Sequence, residues 1–154
     1  MSTRALNPND PELLSLAEGA SVETARSVAC FAASTALRHN PVSDPTVLAV
    51  LEALDGSADR VALGASADIQ RLAERYDERY FELLEAAGGR YTPEVRQEFG
   101  KARALTSLAS ALSHDPRRGV IDAIYEAYVS LGDTEADAFL AHATSRLRAV
   151  DQCR

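Results

Sequence analysis

The chain has 154 residues with 16 basic and 23 acidic side chains, a formal charge of −7, 46% hydrophobic and 6% aromatic residues, and few glycines or prolines. A domain of this length buries enough apolar surface to fold without a metal or a disulfide, and the composition is not that of a disordered chain. The acidic balance argues against non-specific binding to nucleic acid or to an anionic membrane, both of which need clustered positive charge, and no apolar run approaches the roughly 20 residues that cross a bilayer.

Taken in chain order, the segments open with an N-terminal arm over residues 1–9, which holds Arg4 but no apolar block of the signal-peptide kind. Asp10-Pro11 then marks a first helix start. A short oxygen-bearing side chain accepts from an orphan backbone N–H, and proline at the first helical position has no N–H to leave unsatisfied. The same device recurs at Asp44-Pro45, Thr92-Pro93 and Asp115-Pro116. Ser21 with Glu23, Ser66 with Asp68, and Asp133 or Thr134 mark the remaining starts.

Apolar residues between these marks return every three or four positions, as on a helix face. Val22, Ala25, Ala29, Ala32 and Ala36 form one stripe, and Val47, Leu48, Leu51 and Leu54 another. Residues 55–65, with two glycines, form the longest connection and are expected to be a mobile loop. Ile69, Leu72, Tyr76, Tyr80, Leu83 and Ala87 line a long helix that should stop at Gly88-Gly89, where left-handed backbone is tolerated. Further stripes run through Val95, Phe99, Ala102, Leu105, Ala109 and Leu112, through Val120, Ile121, Ile124, Tyr125 and Tyr128, and through Phe139, Leu140, Ala143, Leu147 and Val150. Residues 151–154 are expected to fray. No segment alternates like a strand, so the expected fold is all-α, a single-domain antiparallel bundle of about six or seven helices.

The alanine ridge at positions 25, 29, 32, 33 and 36 has little side-chain volume, so a neighbouring helix can approach closely and this helix should be central. The same ridge would also suit a homodimer contact. Two segments, Ala36-Leu37-Arg38-His39-Asn40-Pro41 and Ala111-Leu112-Ser113-His114-Asp115-Pro116, raise the reading of two related three-helix halves. Ala-rich helices align with one another easily, and coincidence is the preferred explanation.

Few residues point to chemistry. Cys30 and Cys153 have no metal-ligand spacing, and neither is expected in a disulfide. Every basic residue except Lys101 is arginine, which reads as coding bias in a bacterial genome. His39 and His114 sit where helices end, a place imidazolium favours through the helix dipole, and His142 lacks the carboxylate spacing of a helical metal site. There is no phosphate loop, zinc motif, nucleophile elbow or basic recognition helix. Catalytic residues, metal and cofactor are therefore assigned as none.

The long helix pairs Arg71 with Glu74, Arg75 with Glu78, and Arg79 with Glu82 at spacings of three, which reads as a solvated charge ladder. A second acidic and aromatic face carries Asp122, Tyr125, Glu126 and Tyr128. The leading expectation is a cytoplasmic protein-interaction domain, an accessory, adaptor or inhibitor such as an immunity protein or antitoxin. It would bind a basic partner through Glu78, Glu82, Asp122, Tyr125, Glu126 and Tyr128. The alternative is a helical bundle, a small-molecule-binding protein or an enzyme, whose cavity presents Arg75, Tyr76, Arg79 and Tyr80 to a small molecule.

Overall fold

The structure, a computed structural model, describes residues 10–55 and 64–149. The expected N-terminal arm, most of the expected mobile loop over residues 55–65 and the expected C-terminal fraying lie outside the described residues. Seven helices and no strand occur among them: α1 (Pro11–Gly19), α2 (Val22–His39), α3 (Pro45–Asp55), α4 (Ser66–Ala86), α5 (Pro93–Ala111), α6 (Pro116–Leu131) and α7 (Asp133–Ala149). The fold is a single-domain all-α bundle.

The helix starts follow the capping chemistry of the sequence. Asp10, Ser21, Thr92 and Asp115 each accept a backbone N–H from the first turn they precede, and Asp44 accepts from Thr46 at 2.8 Å. The start of α4 differs. Ser66 is its first helical residue and Ala65 holds the cap position in right-handed helical backbone, so no extended residue is present whose hydroxyl closes the first turn. At the other end Gly88 and Gly89 have φ of 64° and 82°, and the Gly89 N–H reaches back to the Leu84 carbonyl at 2.9 Å. That stop needs left-handed backbone, which glycine adopts without strain.

Three helices, α2, α5 and α6, pack on one another and form the centre. α4 lies along α5, α7 covers α2 and α6, α1 bridges α6 and α7, and α3 touches α4. The alanine ridge of α2 is buried within this single chain, so it is not a surface for a second copy; its small side chains instead let α2 sit close to its own neighbours. Leu105 and Leu108 of α5, Leu112 just after its end, and Val120 and Ile124 of α6 supply the volume that the alanines lack. Ser107 is fully buried at the same seam, and its hydroxyl donates to the Ala123 carbonyl at 2.8 Å, so that hydroxyl is not stranded. No helix among the described residues is long and apolar enough to cross a membrane.

The two Ala-Leu-x-His-(Asn/Asp)-Pro segments have different structural parts. Pro116 opens α6 with Asp115 as its cap, whereas Pro41 lies in the connection before α3. Asn40 turns its amide inward, donating to the carbonyls of Ala36 at 3.0 Å and of Ser130 at 3.2 Å, and thereby ties the end of α2 to the end of α6.

Two glycines mark the closest helix approaches. A Cβ on Gly100 would lie 2.1 Å from Asn40 Oδ1, and one on Gly119 would lie 2.5 Å from the backbone carbonyl oxygen of Ser110. The first obstacle is a side chain that can swing away, but the second is fixed backbone. Gly119→Ala should therefore lower unfolding free energy by about 2 kcal/mol in urea denaturation despite alanine's better helix propensity. Unchanged or increased stability would show that α5 and α6 do not approach this closely.

Candidate functional site

The central polar feature is a cation that the sequence does not flag. Arg103 lies on α5 one turn after Phe99, on the side of the helix that faces both α4 and α6. Its Nη2 donates to Asp77 of α4 at 2.5 and 2.7 Å, and its Nη1 donates to Glu126 of α6 at 3.0 Å. One guanidinium thus joins three helices. The Arg103 side chain is 21% exposed, its Nε is buried without a hydrogen-bond partner among the described residues, and its centre lies 5.8 Å from the Phe99 ring centroid.

The electrostatics follow from this burial. Desolvation works against the Arg103 cation, but the carboxylates of Asp77 and Glu126 outweigh it and hold the guanidinium above its ordinary range. Burial pushes the Glu126 carboxyl up, and Arg103 offsets that only in part. Two carboxylates around one guanidinium leave the cluster acidic, and Asp122, which pairs with Arg118 at 3.8 Å, adds to the field that raises Glu126. Glu126 was expected on an interface; here it is turned inward to Arg103.

A second layer is aromatic. Tyr80, only 7% exposed, places its ring 5.2 Å from Phe99 and 5.0 Å from Phe81, and its hydroxyl lies 3.1 Å from that of Tyr91. The hydrogen bond to Tyr91, followed by burial, pushes the Tyr80 phenol up to about 12. The two rings that flank Tyr80 on the surface are open, with Phe81 62% and Tyr91 56% exposed. Beside them Arg79 reaches Glu98 at 3.9 Å and covers the Tyr76 ring at 5.5 Å, while Glu98 Oε2 is buried without a hydrogen-bond partner among the described residues.

The remaining residues singled out in the sequence are spread over α4 and α6. Arg75, Glu78 and Glu82 are exposed; Tyr76 is half-buried against the core; Tyr125 is half-buried, as is Tyr128, whose hydroxyl donates to Asp137 at 3.4 Å. Burial and the Asp137 carboxylate raise the Tyr128 phenol above its usual range. The charge ladder pairs differently from its spacing. Arg71 is bound to Asp68 and Arg79 to Glu98, because Asp68 lies one turn before Arg71 and α5 brings a fixed, largely buried carboxylate to Arg79.

Where α2 and α6 end against the first turns of α5, the bundle opens a cleft of about 630 Å³ with Asn40 and Gly100 among its lining residues and Tyr91 and Arg96 from the start of α5. A second groove of about 440 Å³ runs along α2 beside Leu51 and Leu54, where Arg146 stacks 3.9 Å from the Phe31 ring centroid. His39 bonds Glu135 at 3.0 Å, and His142 packs on Phe31 at 5.0 Å. Among the described residues no group of three or more His, Cys, Asp or Glu is placed to hold a metal ion. Compared with known proteins, the chain matches no family model, no curated protein and no solved structure.

Two experiments test this geometry. Because Tyr80 titrates above the ordinary tyrosine value of 10.0, its contribution to stability is fully present below pH 10 and is lost as pH rises toward about 12. Ultraviolet titration should show a tyrosine ionising near pH 12 whose transition moves down in Tyr91→Phe, whereas that of Tyr128 should not; a transition that stays in place would exclude the hydroxyl pair. Replacing Arg103 by methionine leaves Asp77 and Glu126 unpaired and should cost about 2 kcal/mol of stability, reduced from the fully buried case by the cluster's partial exposure. Calorimetry showing no loss would remove the three-helix role of this residue.

Proposed function

We propose that the chain is a protein-interaction domain that docks a basic partner on the outer face of α4. The observation that carries this reading is Phe81, a large apolar side chain 62% exposed on a charged helix. Glu78 and Glu85 lie one turn to either side, Glu82 is adjacent, Glu74 continues the stripe, and all four are exposed. Asp68 and Glu98 occupy the guanidiniums of Arg71 and Arg79, so α4 offers more unspent negative than positive charge.

An aromatic ring inside a carboxylate rim is the pattern of a binding anchor with electrostatic steering around it. The carboxylates speed encounter with a basic surface, and burial of the ring slows release. Tyr80 supports Phe81 from beneath at 5.0 Å, which limits the rotamer freedom lost on binding. The α6 residues have a smaller part. Glu126 is used by Arg103, Asp122 is shared with Arg118, and Tyr125 and Tyr128 are half-buried. Such a surface suits an accessory, adaptor or inhibitor in the cytoplasm, of the immunity-protein or antitoxin kind.

The alternative cavity of Arg75, Tyr76, Arg79 and Tyr80 has less support, since the Tyr80 hydroxyl is taken by Tyr91, Tyr76 packs on the core and Arg79 pairs with Glu98. The test is affinity capture from the native host, with binding kinetics of the captured protein against two variants. Glu78→Gln/Glu82→Gln should slow association by about tenfold at low salt, and Phe81→Ser should chiefly speed dissociation. Unchanged kinetics in both variants would rule out α4 as the docking face.

A further inference from the structure

We propose that the cleft between the ends of α2 and α6 and the first turns of α5 binds a small carboxylate with a flat apolar body. This goes beyond the protein-docking reading and uses a different part of the surface.

The first argument is charge. In a chain of net charge −7, the described residues lining this cleft include Arg96 and His39 but no aspartate or glutamate. His39 already faces Glu135 at 3.0 Å, whereas Arg96 is exposed and makes no ion pair among the described residues. An unspent guanidinium beside apolar walls favours a planar carboxylate, which can accept two parallel N–H donors. The walls are Phe99, Val129 and Leu131, with the open ring of Tyr91 at the rim.

The second argument is preorganisation. The Tyr91 hydroxyl is held by Tyr80, so the exposed ring is tethered at its far end. Below it the Asn40 amide donates to the Ala36 and Ser130 carbonyls and lies directly against Gly100, where a Cβ would have to displace it from those bonds. Those two carbonyls belong to the ends of α2 and α6, whose dipoles would otherwise oppose an anion; their bonds to Asn40 weaken that opposition. The floor exists before any ligand arrives, and the volume of about 630 Å³ lies within the ordinary range of small-molecule sites.

The test is a two-dimensional amide NMR titration of the full chain with phenylacetate, benzyl alcohol and benzylamine, three probes that share a ring and differ in charge. Phenylacetate should give saturable shifts at Gln97, Gly100 and Gly132, and benzyl alcohol weaker ones at the same amides. Arg96→Gln, a change at an exposed side chain, should weaken phenylacetate by about tenfold while leaving benzyl alcohol unaltered. Equal phenylacetate affinity in Arg96→Gln, benzylamine binding as tightly as phenylacetate, or shifts confined to the amides around Phe81 would each overturn the proposal. Glu78→Gln/Glu82→Gln should leave the titration unchanged, which separates this site from the docking face on α4.

Discussion

The arrangement depends on a half-buried guanidinium that two carboxylates from different helices must satisfy together. Arg103 projects from α5 between α4 and α6, and neither Asp77 nor Glu126 alone meets its donors. Apolar packing is non-directional, so helices held by alanine and leucine can slide or rotate by small amounts at little cost. A guanidinium that needs one acceptor on each side fixes the axial register and rotation of α4 relative to α5 and α6. Burial makes the constraint strict, because an unmatched charge at this depth costs more than a slightly poorer apolar contact.

The surface features follow from that register. Asp77, its side chain 32% exposed, lies at the edge of the buried face of α4, so that Tyr80, three residues on, falls to the inner side toward Phe99 and Phe81, four residues on, to the outer side. Tyr80 in turn meets Tyr91 across the α4–α5 turn and leaves that ring at the mouth of the cleft. The glycine-dependent stop after α4 makes this meeting possible, since the chain must reverse within a few residues to bring Tyr91 back beside Tyr80. A polar bond in the interior thus sets where the exposed aromatic rings stand.

The sequence disclosed what is local and concealed what is tertiary. Helix starts were readable because a capping side chain bonds backbone two or three residues away, as at Ser21 and Thr92. The central place of α2 was readable because five alanines on one face let another helix approach closely, although a second copy of the chain would have suited the same ridge. Arg103 was overlooked although a signal existed: Arg103, Thr106, Ser107 and Ser110 form a polar edge on an otherwise Ala/Leu-rich helix. Its partners lie 26 and 23 residues away, and nothing in their own neighbourhoods distinguishes Asp77 or Glu126 from solvated carboxylates. The ladder on α4 erred at Arg79 for the same reason, since spacing does not show the carboxylate that a neighbouring helix brings closer, whereas Arg71 takes Asp68, one turn earlier on the same helix. Asn40 and Gly100, 60 residues apart, are likewise an ordinary helix-end residue and an ordinary glycine until the fold joins them.

The two candidate surfaces have opposite charge preferences and a common aromatic partition. On the outer face of α4, four exposed carboxylates surround Phe81 and disfavour anions. In the cleft the described lining residues include Arg96 and His39 and no carboxylate, while Tyr91 and Phe99 provide flat walls. Tyr80 stands between them, in contact with Phe81 on one side and with Phe99 and Tyr91 on the other. At about 10 Å of Debye length in ordinary buffer, rim charges on α4 are largely screened from a ligand seated in the cleft, whereas groups within the cleft act at short range and are screened less. The charge is thus divided between the two proposed sites: the docking face uses the excess of acid on α4, and the cleft uses the lack of acid among its described lining residues.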